Sequence, residues 1–273
     1  MVQNLIMKNE FNNKIVWITG ASSGIGEALS YAFSFRGANL ILSGRRIEEL
    51  ERVKHTCKYP EQVKIIPLDL SDVPSLENKT ADAIQCFGHI DILVHNGGIS
   101  QRSLVIETPM EVHRKVMEVD YFSYVAITKS ILPHFISRQV GHFVVTSSVM
   151  GKIGTPMRSA YAAAKHALHG FFDCLRAELS PQNIKVTILT PGYIRTNVAY
   201  NAITKDGTRL ARQSENITNG LSPGKAAVQI LKAISKDTYE TYIGKFSGEK
   251  ISLWIMRFAP GMLIKRAPSF GPK

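Results

Sequence analysis

The sequence is poor in cysteine, short of acid and free of long apolar runs. Its three cysteines, Cys57, Cys86 and Cys174, form an odd and widely spaced set. That excludes a disulfide framework and points to free thiols in a reducing compartment. No zinc-finger spacing is present, and no metal is expected. The first fourteen residues, MVQNLIMKNEFNNK, hold no apolar stretch of the length a signal peptide or membrane span requires. The expectation is a soluble, cytoplasmic protein. Repeats, low-complexity tracts and long linkers are also missing. Asp and Glu number 22 against 33 Lys and Arg, a formal net charge of +11. Such a surface attracts nucleic acid, anionic lipid or a phosphate-rich cofactor. Without a basic arm or a zinc-finger pattern, nucleic acid is not an expected partner.

What is present is a regular alternation of strands and helices. Lys14 to Thr19 (KIVWIT) is a short apolar, β-branched run, the form of a buried parallel strand. Gly20-Ala21-Ser22-Ser23-Gly24-Ile25-Gly26 follows at once, and Glu27 to Phe35 carries helical spacing. Glycines there let the backbone approach a pyrophosphate, and the helix start offers free N–H groups. The second strand, Asn39 to Leu42, runs into Ser43-Gly44-Arg45-Arg46. An NAD-type site carries Asp or Glu at that place for the ribose hydroxyls. Here two guanidiniums stand instead, which match a phosphate. The reading is NADP(H) in preference to NAD(H), with Arg45 as the phosphate ligand and Arg46 as the one facing water.

Further strands are expected at Val63 to Pro67, Asp91 to Val94, His142 to Thr146, Lys185 to Leu189 and Tyr239 to Ile243. Helices are expected at about Pro109 to Ile136, from Ser159 to Leu179 and at Pro223 to Ile234. Gly20, Gly44, Asp69, Asn96, Ser148 and Pro191 all fall just past strand ends. In an open parallel sheet, ligands bind at those ends, near the point where strand order reverses. The fold class is therefore α/β, a single Rossmann-like, doubly wound parallel sheet with helices on both faces. It divides into an extension over 1–13, one domain over 14–249 with a lid at about 193–220, and a basic, apolar tail over 250–273.

One stretch carries chemistry. Ser147 to Lys165 reads SSVMGKIGTPMRSAYAAAK. With Ser159 as N-cap and three alanines following Tyr161, it predicts a helix that sets Tyr161 and Lys165 on one face, a turn apart. A Lys ammonium beside a phenol favours the phenolate, which suits a group that exchanges a proton with a carbonyl or alcohol oxygen. Ser148 is placed to hydrogen-bond the same oxygen.

Together these residues resemble the short-chain dehydrogenase/reductase family, from Lys14 to about Gly244. Thr19-Gly20-x-x-x-Gly24-Ile25-Gly26 is similar to the family's cofactor turn. Ser148 with Tyr161-x-x-x-Lys165 is similar to its catalytic set, and Pro191-Gly192 to its nicotinamide-side turn. Asn96 to Leu104 and Lys165 to Phe172 look most like the member-7 and 11-beta-hydroxysteroid dehydrogenase branches. The resemblance implies carbonyl–alcohol chemistry on a hydrophobic substrate such as a steroid, retinoid or keto-lipid. It implies cofactor contacts at Gly20, Ser22, Ser23, Gly24, Ile25, Gly26, Arg45, Arg46, Asp69, Leu70, Asn96, Gly97, Tyr161, Lys165, Pro191, Gly192, Ile194 and Thr196. It also implies a homodimer or homotetramer built through the two long helices.

Two departures stand out. The family's Asn-Asn-Ala-Gly is His95-Asn96-Gly97-Gly98 here, and His95 is expected to be a packed residue. Asp120 occupies the place of the family's Asn, which holds a water linked to the Lys. Its carboxylate can hold that water or pair with Lys165, and it is counted with the catalytic set. The tail from Ile251 to Lys273 mixes apolar with basic residues and has no acid. It is read as lying on a membrane surface, over its own pocket or at a subunit contact. A non-catalytic NADP(H)-binding sensor or scaffold is the alternative function.

Overall fold

The computed structural model describes residues 10–266, so the first nine residues of the N-terminal extension and the last seven of the tail lie outside it. Seven strands form one parallel sheet: β1 (Ile15–Thr19), β2 (Asn39–Gly44), β3 (Val63–Pro67), β4 (Ile92–His95), β5 (Gly141–Thr146), β6 (Ile184–Pro191) and β7 (Glu240–Ile243). Their order is β3-β2-β1-β4-β5-β6-β7. The direction of winding reverses between β1 and β4, which opens the crevice where such sheets bind ligands.

The strands are apolar throughout because both faces are covered, and their period of two sorts the side chains. In β1, Val16 and Ile18 point into one layer and Ile15 and Trp17 into the other. The first layer is closed by Leu29 and Phe33 of α1 (Gly24–Ser34), Leu50 and Val53 of α2 (Ile47–Thr56), and Ile230 and Leu231 of α8 (Pro223–Ser235). The second is closed by Leu76 and Ala83 of α3 (Leu76–Gln85), Ile127, Ile131 and Phe135 of α5 (Ser123–Arg138), and Leu168, Phe172 and Leu175 of α6 (Ser159–Leu179).

The helix expected at about Pro109 to Ile136 is two helices fused by one wide turn. α4 (Met110–Met117) passes through a π turn at Glu118–Phe122 into α5. A π turn inserts one residue into the helical ladder and re-aims the side chains it carries. Asp120 is one of them. The polar lid segment is largely irregular, as expected, but contains the single-turn α7 (Glu215–Thr218). The tail is helical: α9 (Gly248–Phe258) and α10 (Pro260–Arg266). Its Leu263 is buried against Val149 and Ile153, the segment that follows Ser148. One side of the tail thus packs over the site end of the sheet.

Two histidines are buried in the body of the sheet. His95 Nε2 is 2.9 Å from Thr128 Oγ1, and its ring stacks on Tyr124 at 4.6 Å. His95 is thus a packed residue, as expected. His142 Nε2 is 2.9 Å from Thr187 Oγ1. Burial pushes His95 down to about 3 and His142 down to about 4. Both are therefore neutral in the fold and take up protons on unfolding below their ordinary value near 6.5. Stability is complete above that pH and falls as the pH drops toward 4, by up to about 1.4 kcal/mol per pH unit for each histidine. Urea midpoints at pH 7.0, 5.5 and 4.5 should decrease in that order, and a flat series would show that these rings are not buried neutral.

Candidate active site

The crevice is built where β1 and β4 part. Thr19 Oγ1 accepts the N–H groups of Asn96 (3.0 Å) and Gly97 (3.2 Å). The Asn96 side-chain amide donates to the carbonyls of Thr19 (3.2 Å) and Gly20 (3.3 Å). These bonds lock the glycine turn to the end of β4. Gly20 has φ +66°, and a Cβ there would sit 2.5 Å from the Cα of Gly97. A Cβ at Gly26 would overlap the Gly20 carbonyl oxygen. Gly97, where the family pattern has Ala, faces Leu70: an added Cβ would stand 2.6 Å from its Cδ1. The turn is fixed and stripped of side chains, and it opens the eleven-residue α1 with free N–H groups. That is a cradle for a dinucleotide's phosphates, and the residues fit the group.

A cleft of about 900 Å³ runs from the end of this turn along the outer face of α1 toward Phe35, Arg36 and Arg52. Ser22, Ser23, Gly24, Arg46, Arg195, Thr196 and Asn197 are among the residues lining it. Thr196 comes from the loop after β6, whose Pro191 ends the strand and whose Gly192 N–H donates to Ile243 O at 2.9 Å. Ile194 in that loop is buried. Arg46 reaches back to the turn, donating to Ser22 O (3.2 Å) and Ser22 Oγ (3.1 Å). Arg45 acts instead on Asp69. Burial pushes the Asp69 carboxyl up, but hydrogen bonds from Ser71 N–H (2.9 Å) and Ser71 Oγ (2.7 Å), with the Arg45 charge, hold it below the usual range. So the guanidinium expected to face water is hydrogen-bonded to the turn. Asp69 spends one oxygen organising its own loop.

The proton-handling end lies at β5 and α6. β5 delivers Ser147 and Ser148. Ser148 is half-buried, and its Oγ accepts from Met150 N–H at 3.1 Å, capping a short 3₁₀ turn. In α6, Tyr161 and Lys165 share one face, with the ammonium 5.6 Å from the phenol ring centre. The helix begins one residue earlier than a Ser159 cap would set it. Arg158 is the cap and Ser159 the first helical residue, with Ser159 Oγ buried and unpartnered.

Lys165 is almost fully buried. Its ammonium donates to Thr146 O at 3.2 Å, stands 3.2 Å from Asp120 Oδ2 and lies 5.4 Å from the Tyr124 ring centre. Of the two roles open to Asp120, the structure shows the direct pair. Asp120 Oδ1 accepts from Ile99 N–H at 2.8 Å. Oδ2 faces the ammonium without a well-aligned hydrogen bond. Burial pulls the Lys165 amine down; the Asp120 charge, helped by Tyr124 and Tyr161, more than reverses this and holds the amine above the usual lysine range. Burial also lifts the Asp120 carboxyl above its ordinary range despite the ammonium beside it.

Two supports were not singled out in the sequence. Tyr124 donates its hydroxyl to Gly97 O at 2.8 Å. Ser147 Oγ donates to Lys165 O (3.2 Å) and lies 2.9 Å from His169 Nε2. His169 is one turn beyond Lys165, on the face already carrying Tyr161. That i, i+4, i+8 spacing was the signal available in the sequence.

A family model described as short chain dehydrogenase matches residues 14–207. The chain is 38% identical to "Dehydrogenase/reductase SDR family member 7B" from Mus musculus over 270 residues, covering 97% of this chain and 83% of the relative. It is 42% identical to "Dehydrogenase/reductase SDR family protein 7-like" from Anopheles gambiae, covering 92% and 81%. A crystal structure of a short-chain dehydrogenase from Streptomyces avermitilis superposes with TM-score 0.78 at 27% identity, covering 93% of this chain and 96% of that one.

Removing one member of a buried ion pair leaves an uncompensated charge, which costs about 3–5 kcal/mol. Asp120→Ala should lower urea-unfolding stability by that order; Asp120→Asn should also lower it, but less, because its amide oxygen can still accept from Ile99 N–H. If Asp120→Ala unfolds like the wild type, Lys165 does not depend on that carboxylate.

Proposed function

Since the chain belongs to the short-chain dehydrogenase family, we propose that it is an NADP(H)-dependent oxidoreductase interconverting a carbonyl and an alcohol on a hydrophobic substrate. The carrying observation is one face of α6. Tyr161 and Lys165 share that face, beside Ser148 at the end of β5. The family's fold binds a nicotinamide cofactor, and the glycine turn, Asn96, Gly97, Pro191, Gly192 and Thr196 would hold it here. Preference for the phosphorylated form rests on Arg45 and Arg46 at the end of β2, where an acid would serve the unphosphorylated one.

When bound, the cofactor supplies or accepts the hydride. The chain's own residues do the rest. Ser148 Oγ hydrogen-bonds the substrate oxygen and fixes its place. Tyr161 gives that oxygen a proton in reduction and takes it back in oxidation. Lys165, kept charged by Asp120, holds positive potential beside the phenol. A hydrophobic substrate is proposed from the family resemblance alone. A binding-only role would predict loss of Tyr161 or Lys165, and both are present.

A homodimer or homotetramer through α4, α5 and α6 is the proposed assembly. Cytoplasmic residence with the tail touching a membrane surface is the proposed location. In the tail, Ile251, Trp254, Phe258, Met262 and Ile264 are exposed. Lys250, Arg257 and Lys265 accompany them. Exposed apolar residues with basic neighbours suit the interface of an anionic bilayer.

Three measurements test these readings. Tyr161→Phe should reduce turnover by about 10²- to 10⁴-fold while NADPH titration by fluorescence stays near wild type; undiminished turnover would sink the assignment. In the same titration, Arg45→Ala and Arg46→Ala should weaken NADPH more than NADH. Separately, full-length protein should co-sediment with phosphatidylserine-containing vesicles, and Trp254→Ser/Phe258→Ser should not. Equal sedimentation of both would remove the membrane contact.

A further inference from the structure

Arg102 lies in the segment between β4 and α4, and three backbone bonds fix its place. Its N–H donates to Ile203 O at 2.8 Å, Ile203 N–H donates to Ser100 O at 2.8 Å, and Ser103 N–H donates to Met157 O at 3.3 Å. The residue therefore sits where the pocket wall, the lid and the start of α6 meet. Its side chain is only 8% exposed.

A guanidinium has only donors and cannot discharge itself by losing a proton. The other arginines held against the body of the fold show what that demands. Arg138 donates to Ile90 O (2.6 Å) and Asp91 Oδ1 (3.0 Å). Arg176 donates to Val186 O (3.2 Å) and Asp173 Oδ1 (2.7 Å). Arg102 has neither kind of partner. Its Nη1 is buried without a hydrogen bond, and among the described residues no carboxylate lies within ion-pair distance. Nor do residues 1–9 and 267–273 contain any Asp or Glu.

The nearest strong charge is of the same sign. Burial foremost, then the Arg158 guanidinium, pull Arg102 down to about 10, while Tyr193 and Tyr161 act weakly in the other direction. Arg158 caps α6, and its Nε is also buried and unpartnered. So is Ser159 Oγ, at the first residue of that 21-residue helix. The Ser103–Met157 backbone bond thus brings Arg102 next to Arg158, Ser159 and the start of α6, three residues before the tyrosine assigned to proton transfer. A like-charge pair with one member buried and the other half-buried is unfavourable by itself and becomes favourable around an anion.

We propose that Arg102 and Arg158, with Ser159 and the start of α6, form an anion subsite for an acid group of the substrate. This rests on the oxidoreductase reading and names the substrate class within it. Tyr161 follows Arg158 by three residues, roughly 4.5 Å along the helix axis. The acid group, a carboxylate or a phosphate, therefore stands within a few bonds of the carbonyl or alcohol carbon. The apolar remainder lies along the lid.

The test uses full-length protein with NADPH and two matched substrate pairs. One pair is 3-oxododecanoate with its methyl ester, and the other is dihydroxyacetone phosphate with dihydroxyacetone. Wild type should favour the charged member of at least one pair by about 10- to 100-fold in kcat/KM, and the favoured pair tells carboxylate from phosphate. In Arg102→Gln and in Arg158→Gln that ratio should fall to within about threefold of unity, with near-ultraviolet circular dichroism confirming that each variant is folded. Equal use of charged and neutral members by wild type, or a preference that survives both substitutions, overturns the subsite and leaves the oxidoreductase reading standing. If no member is turned over, thermal melting decides. Stabilisation by 3-oxododecanoate or inorganic phosphate that is lost in the double variant upholds the subsite, and no stabilisation overturns it. Absence of any Tyr161-dependent turnover on a wider ketone panel would count against the oxidoreductase reading alone.

Discussion

A single buried ammonium organises the site. Lys165 draws together the end of β5 through Thr146 O, the π turn through Asp120, and α5 through the Tyr124 ring. Its own carbonyl accepts from Ser147. Removing such a charge from water is costly, and only a partner of opposite sign and polar neighbours offset it. The π turn brings that partner to the right depth. Ile99 N–H then fixes the carboxylate and ties the segment after β4 to the same centre. The positions of Ser148 and Tyr161 follow from elements that Lys165 holds in place.

Most of the architecture was legible because it depends on short-range pattern. Apolar strands, glycine turns and helical spacing alternate at lengths that admit only a parallel, doubly wound sheet. The α6 face was readable because Tyr161 and Lys165 are four apart. What escaped depends on contacts between distant segments or on small shifts of phase. Arg45 and Arg46 are adjacent, and only the path of the chain after β2 decides that Arg46 turns back to Ser22. The cap of α6 fell on Arg158, not Ser159, because the chain arrives there from Met157 in a left-handed conformation, φ +65°. The direct contact of Asp120 with Lys165 needed the inserted residue of the π turn, which leaves no mark in a helical period. Docking of Leu263 beside Val149 joins residues more than a hundred apart.

The same contrast separates the two kinds of charge near the site. Asp120 and Lys165 satisfy each other within the chain, so their pairing serves the architecture as much as the chemistry. Arg102 and Arg158 do not satisfy each other. On the proposal made above, what they meet comes from outside the chain.

The backbone bonds between Ser100, Arg102 and Ile203 also bear on timing. Two such bonds are together worth roughly 1–3 kcal/mol. Were residues 193–220 to open as the proposed lid, those two bonds alone would hold the open form to about one molecule in six to one in 160. Every arrival and departure would then wait for that minority. An occupant that requires the open form binds with an apparent affinity lower than its intrinsic one by the same factor. The latch thus imposes a toll on all occupants alike, and only a molecule that closes it again recovers the difference.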